Sequence, residues 1–206
     1  GYHLGFVETG EWTKYSVKIN SSGVYRVKIR HASEQNGGKL YLSLNDQNIS
    51  SVYTTNSTGS WFSFITSTID DVILDQGNHS LKLHFNDDIP LNISSILFEK
   101  IGEISSAPFK SVNGKTGSDE KSIEVFVNQE ILESSINGSL DKFSVTINGQ
   151  EKSINSVTLD SSKPKTLFLN LSDNLLYTDE IKVSYSGDLI KSNNNKVLNS
   201  FTNLQV

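Results

Sequence analysis

Apolar residues in this chain recur with a period of two almost everywhere, and a period of 3.6 is nearly absent. Tyr15, Val17 and Ile19 alternate with Ser16 and Lys18; Tyr25, Val27 and Ile29 alternate with Arg26, Lys28 and Arg30; Leu40, Leu42 and Leu44 repeat the pattern. Successive side chains of a strand point to opposite faces, so this alternation specifies strands with one face buried and one in water. Trp61–Thr68, the Leu81, Leu83 and Phe85 run, and Ile96 with Phe98 extend the series. Between the runs lie Ser21-Ser22-Gly23, Asn36-Gly37-Gly38, Asn45-Asp46, Thr58-Gly59 and Gln76-Gly77-Asn78, all turn formers. Short strands at this spacing predict an all-β sandwich or barrel.

The Ser-rich stretch Glu103–Pro108 closes the first series and predicts a boundary, giving units of 1–103 and 108–206. In the second unit, strands are expected at Ile123–Val127, Phe143–Ile147, Ser156–Leu159, Thr166–Leu171, Ile181–Tyr185 and Phe201–Val206. Asn148-Gly149 predicts a type I′ hairpin, and Asn193-Asn194-Asn195 an exposed loop tip. A unit of this size with such strands fits an immunoglobulin-like sandwich.

With 23 acidic against 18 basic residues the formal net charge is −5, which argues against a nucleic-acid partner or an anionic membrane surface. No apolar run is long enough to insert in a membrane. The absence of cysteine excludes disulfides, thiol catalysis and thiolate-held metals. The chain opens on Gly1 in strand-like sequence and has no methionine, so it is expected to be an internal piece of a longer polypeptide.

No nucleophile elbow, zinc-binding helix or phosphate loop is present. The four histidines, His3, His31, His79 and His84, are scattered, and His31 and His84 read as strand residues. Glu8 and Glu11 are the nearest candidates for a paired-carboxylate hydrolase, but their spacing fits one hydrogen-bonding and one structural side chain better. Asp70, Asp71 and Asp75, and separately Asp87 and Asp88, are oxygen-rich but lack the spacing of a dedicated calcium loop; they read as solvated turns. No catalytic residue and no metal ligand is therefore assigned.

Aromatic residues in turn contexts are more informative. Phe6 lies in Leu4–Trp12 (LGFVETGEW), and Trp61 follows the polar loop Asn56–Ser60. A flat ring in such a place can stack on the C–H face of a pyranose while neighbouring polar side chains fix the hydroxyls.

The order of motifs resembles the family 6 carbohydrate-binding modules over about residues 1–101: LGFVETGEW, Tyr15–Ile19, Gly23–Ala32, Ser57–Trp61 (STGSW), Gly77–Phe85 and Leu91–Phe98. The resemblance implies a jelly-roll-like sandwich that binds a β-linked polysaccharide such as xylan or a β-glucan. On the family's pattern Phe6 and Trp61 are the rings that clamp one sugar, Asn92 contacts its hydroxyls, and Glu8 is the acidic neighbour of the first ring. Such modules accompany bacterial glycoside hydrolases, so the implied partners are a polysaccharide and a catalytic domain of the parent chain. The implied location is secreted or at the bacterial cell surface. No cofactor is required; the family's structural calcium is not expected here, because the usual Asp is Ser94 and the usual first strand, whose Glu helps hold the ion, is missing from this sequence, being upstream in the parent, supplied by another fragment or absent altogether. The second half is similar to immunoglobulin-like repeats of bacterial surface proteins, which implies a spacer. Tandem structural domains without sugar binding are the alternative.

Overall fold

The structure, a computed structural model, describes residues 3–86 and 89–206, so Asp87 and Asp88 lie outside the described residues. The chain divides into two compact units, Gly1–Ala107 and Pro108–Val206. Each is an antiparallel β-sandwich.

The first unit contains β1 (Trp12–Ile19), β2 (Gly23–Ala32), β3 (Lys39–Leu44), β4 (Gln47–Asn48), β5 (Tyr53–Thr54), β6 (Ile65–Leu74), β7 (Gly77–Phe85) and β8 (Asn92–Gly102). One sheet has the order β1-β7-β3-β4, with β5 also on β3; the other has the order β6-β2-β8. The alternating residues meet between the sheets: Val27 and Ile29 of β2, Leu40 and Leu42 of β3, Val72 and Leu74 of β6, and Leu81, Leu83 and Phe85 of β7. Burying such side chains stabilises by about 1.5–3 kcal/mol each, so the period-two pattern fixes which face turns inward.

Trp61–Thr68 does not form the continuous strand expected of it, because β6 begins at Ile65. The Ser60 hydroxyl accepts the Phe62 N–H (3.2 Å), and the Ser63 N–H reaches the Ser60 carbonyl (3.3 Å). Gly59 precedes them with φ +78°. A serine that bonds its own backbone turns the chain before a ladder can form.

β1 and β8 are edge strands of their two sheets, and an open groove of about 450 Å³ runs between them, lined in part by Tyr15, Val17, Ile96 and Phe98. Among the described residues the far side of β8 is met only by a bridge from Leu4 to Ile93 (2.8 and 2.9 Å). Beyond it, Glu99 and Lys100 put charge on this edge, a common way of discouraging unwanted pairing.

The second unit contains β9 (Ser111–Thr116), β10 (Ser122–Val127), β11 (Phe143–Ile147), β12 (Gln150–Lys152), β13 (Ile154–Leu159), β14 (Thr166–Leu171), β15 (Ile181–Tyr185) and β16 (Phe201–Gln205). Its sheets are β13-β14-β10-β9 and β12-β11-β15-β16, closing over Ile123, Val125, Val145, Leu167, Leu169, Val183 and Tyr185. Asn148 (φ +52°) and Gly149 (φ +77°) turn β11 into β12 with Ile147 opposite Gln150, a type I′ turn as the sequence predicts. β9 escapes sequence reading because Asn113-Gly114 interrupts it; Gly114 sits where a Cβ would come 3.0 Å from Val206.

His31 is fully buried in β2, with Nε2 2.8 Å from the Ser67 hydroxyl, which itself accepts the Tyr53 hydroxyl at 2.7 Å. Burial holds its pKa below the ordinary 6.5, and burial first, then Lys82, does the same for His84. Both imidazoles are therefore neutral in the fold near pH 7. The unfolded chain takes up protons as pH falls through the ordinary histidine value, while the folded chain resists, so this stability is present above about pH 6.5 and is lost on acidification. We expect Tm to fall between about pH 7 and about pH 5, and His31→Gln to flatten part of that fall. An unchanged slope in the variant would exclude His31 as a source.

Candidate functional site

The termini of six strands meet at one end of the first sandwich. Trp12 pairs with His84, Leu40 with Phe85, His31 with Ile65, and Ala32 with Asn92. The described segments that enter and leave there are residues 4–11, 33–38, 55–64 and 89–91, which carry the sequence-predicted site residues or flank them.

Phe6 is 99% exposed and has φ +59°. Left-handed backbone is unfavourable for a residue with a Cβ, by about 1–2 kcal/mol, so this loop holds an aromatic ring in water in a strained conformation. The adjacent Val7 is buried in the core, and Leu4 is bridged to Ile93, so both flanks of Phe6 are anchored.

Trp61 is half-buried and belongs to none of the core clusters. Its loop is zipped to residues 33–38. Thr58 N–H donates to the Ser33 carbonyl (2.8 Å), Ser33 N–H donates to Thr58 Oγ1 (3.0 Å), and Ser57 N–H donates to Asn36 Oδ1 (2.6 Å). The buried Ser33 hydroxyl also donates to the Pro90 carbonyl (3.0 Å), binding the segment ahead of β8 to the same knot. A loop held by this many bonds loses little further freedom when a ligand lands on it.

Asn92 opens β8 and joins the two aromatic segments. Its Nδ2 donates to the Trp61 carbonyl at 2.8 Å, and its Oδ1 lies against Gly5, where a Cβ would stand 2.5 Å away. It is only 9% exposed, so its amide positions the rings' loops rather than standing free in solvent. Glu8 is exposed. The Glu8–Glu11 pair is a turn: Glu11 Oε2 accepts the Glu8 N–H (2.9 Å), and Glu11 N–H donates to the Glu8 carbonyl (3.1 Å). Glu11 thus has a structural partner, and the Glu8 side chain faces water beside Phe6. Asn92 thus ties the Trp61 backbone to the segment that carries Phe6, through Gly5, and Glu8 is an exposed residue two positions further along that segment.

Phe62 is 74% exposed and follows Trp61 directly. His3 meets it edge-on (6.1 Å between centroids) and also meets Phe64 (5.9 Å), over which the Arg30 guanidinium sits at 4.9 Å. Phe62 is an aromatic that the sequence reading passed over.

A second aromatic surface escaped notice as well. On the outward face of the five-stranded sheet, Trp12, His84 and Tyr41 stand side by side on β1, β7 and β3. Tyr41 and His84 are stacked (4.4 Å, interplanar angle 1°), and Lys82 Nζ lies 4.4 Å above the Trp12 ring while pairing with Asp46. That contact holds the Asp46 carboxyl below its usual range, chiefly through the hydrogen bond from Lys82. Trp12 is 49% exposed. The signal was available in the phase of the alternation: Trp12 falls with Lys14, Ser16 and Lys18, on the polar side of its strand.

Asp70 is ion-paired to Arg26 (2.6 Å), and Asp71 sits at φ +58° where β6 shifts register against β2. Among the described residues no group of three or more His, Asp or Glu is placed to hold a metal ion.

Exposed aromatic rings on bonded end loops and on one sheet face are flat apolar surfaces on which a ligand could stack. Residues 1–100 match the model of the carbohydrate binding module, family 6. Among solved structures, the chain is similar to a family 6 module of lichenase 5A from Cellvibrio mixtus in complex with cellotriose, at 27% identity over 49% of this chain and 79% of that one (TM-score 0.45). It is also similar to a family 6 module from Clostridium cellulolyticum in complex with xylose, at 26% identity over 48% and 80% of the two chains (TM-score 0.44). The C-terminal module of a marine laminarinase from Zobellia galactanivorans aligns at 25% identity over 48% and 81% (TM-score 0.44). No curated protein matches.

Proposed function

We propose that the first unit binds a β-linked polysaccharide without cleaving it, through Phe6 and Trp61, with Glu8 and the neighbouring backbone meeting hydroxyls at the rim. The observation that carries this reading is Phe6: fully exposed, strained, and anchored on both sides. A ring kept in water at a cost to the fold is explained by a surface that it contacts. The match of residues 1–100 to a carbohydrate-binding family points the same way. The Trp12–His84–Tyr41 row is a second flat surface on which a chain could lie.

Shallow sites of this kind bind in the range of about micromolar to millimolar, or roughly −8 to −4 kcal/mol. Tethering makes weak contacts useful, since a second contact becomes intramolecular. The module then serves a polysaccharide-degrading enzyme of the parent chain, secreted or at the bacterial surface, and the second unit acts as an immunoglobulin-like spacer.

Binding to xylan, cellulose-type glucan, mixed-linkage glucan and laminarin should be measured by affinity electrophoresis and calorimetry. We expect at least one to bind wild type and to lose most of its affinity with Trp61→Ala at an unchanged far-UV spectrum. A folded wild-type protein that binds none of them would favour a purely structural pair of sandwiches. Glycan release that is lost with Glu8→Gln would favour an enzyme.

A further inference from the structure

The chain contains four Asn-Gly steps: Asn36-Gly37, Asn113-Gly114, Asn137-Gly138 and Asn148-Gly149. This dipeptide is chemically labile because glycine leaves its own amide nitrogen unshielded. That nitrogen, once deprotonated, attacks the asparagine Cγ. A new N–Cγ bond forms, the Cγ–Nδ2 bond breaks, and ammonia leaves with a proton. Water then opens the five-membered imide at either carbonyl, giving aspartate or, through the side chain, isoaspartate. No oxidant or other reagent is needed.

The structure separates the four sites. Asn36 Oδ1 accepts the Ser57 N–H at 2.6 Å. Asn113 is 5% exposed inside β9, with Oδ1 on the Gly114 N–H at 2.8 Å and Gly114 paired to Val125. Asn148 is held at both ends: Nδ2 donates to Asp179 Oδ1 (2.8 Å), and Oδ1 accepts the Glu180 N–H (2.9 Å). Asn137 differs. It is exposed, it follows the short 3-10 turn Glu133–Ile136, and among the described residues its side chain makes no hydrogen bond.

The backbone around Asn137 can also move. Asn137 (φ −57°, ψ 129°) and Gly138 (φ +75°) form a type II turn closed by Ser139 N–H on the Ile136 carbonyl at 3.1 Å. Ring closure requires the peptide plane between Asn137 and Gly138 to rotate out of this setting. One turn hydrogen bond resists that rotation, whereas a sheet ladder resists it at Asn113 and a hairpin at Asn148. We infer that Asn137-Gly138 is the site at which this protein deamidates, with isoaspartate among the products.

The consequence falls on the second unit. Isoaspartate adds a methylene to the backbone between buried Ile136 and buried Ser139, and the new carboxylate adds a negative charge to a chain already at −5. The corresponding step in the first unit, Asn36-Gly37, is locked by the same bond that holds the Trp61 loop, so the binding loop is spared.

The full chain should be incubated in warm, mildly alkaline buffer and followed by peptide mapping with an isoaspartate-specific methylation assay. Each net hydrogen bond that must open first slows the reaction by about tenfold, so the Asn137 peptide is expected to convert at least about tenfold faster than those of Asn36 and Asn148. Asn137→Gln, at an exposed position, should remove the leading acidic variant from ion-exchange profiles. Equal conversion at the four sites, faster conversion at Asn36, Asn113 or Asn148, or an acidic variant that persists in Asn137→Gln would overturn the inference.

Discussion

Replacing Phe6 by glycine is expected to leave the fold as stable as wild type or up to about 1.5 kcal/mol more stable, while weakening glycan binding by about ten- to a hundredfold. The two effects have separate origins. Phe6 lies at φ +59°, where glycine is at ease and phenylalanine is not. Relief of about 1–2 kcal/mol of strain is offset by the extra freedom that glycine has in the unfolded chain, about 0.5–1 kcal/mol. The ring itself contributes nothing to the core, because it is 99% exposed. Its removal is felt only when a sugar would have covered it, and that contact is worth about 1.5–3 kcal/mol for a side chain of this size. Phe6→Ala keeps the strained backbone and should match the glycine variant in affinity but not in stability. Calorimetric titration with the best polysaccharide, alongside urea unfolding, separates the two quantities. A glycine variant that binds like wild type, or one that loses more than about 1 kcal/mol of stability, would sink the assignment of Phe6 as a ligand-facing ring.

How far the sequence reveals this site depends on which physical signal each residue carries. The sandwich cores were legible because Val27, Leu42, Leu83, Val125 and Leu169 repeat every second residue, and that phase is set by burial. Phe6 and Trp61 were legible as aromatics in turn contexts and through the order of motifs. The positioning role of Asn92 was not, because it consists of a bond to the carbonyl of a residue in another loop, and no local pattern encodes that. Gly5 was silent for the same reason: its importance is the approach of Asn92, across the fold. Trp61–Thr68 misled because its apolar residues mimic a strand, while the Ser60 side chain decides the backbone locally. β4, β5 and β12 are two or three residues long, too short for any periodicity. Trp12, by contrast, stood in plain view on the polar phase of β1.

Asn92 and Gly5 make the second strong prediction, and it turns on coupling. Asn92→Ala removes the bond to the Trp61 carbonyl and the wall against Gly5 together. It should lower stability by about 1–2 kcal/mol, the cost of leaving a partly buried carbonyl without its donor. Binding should fall by about tenfold or more, as one of the ties orienting the indole is gone, although the Ser33–Thr58 bonds keep the loop folded. Gly5→Ala reaches the same end by a different route. Its methyl would stand 2.5 Å from Asn92 Oδ1, so the amide must swing aside and release Trp61. The backbone at Gly5 does not have a positive φ, so the methyl's contact, not the chain's conformation, is the source of the effect. In the Asn92→Ala background the added methyl meets only the His3 ring, at an ordinary contact distance of 3.9 Å, and should change affinity by less than about twofold. The double-mutant cycle therefore predicts strong non-additivity, with the pair no worse than Asn92→Ala alone. Additive losses would mean that Gly5 acts through Phe6 or His3 and not through Asn92, and that the two aromatic loops are positioned independently of each other.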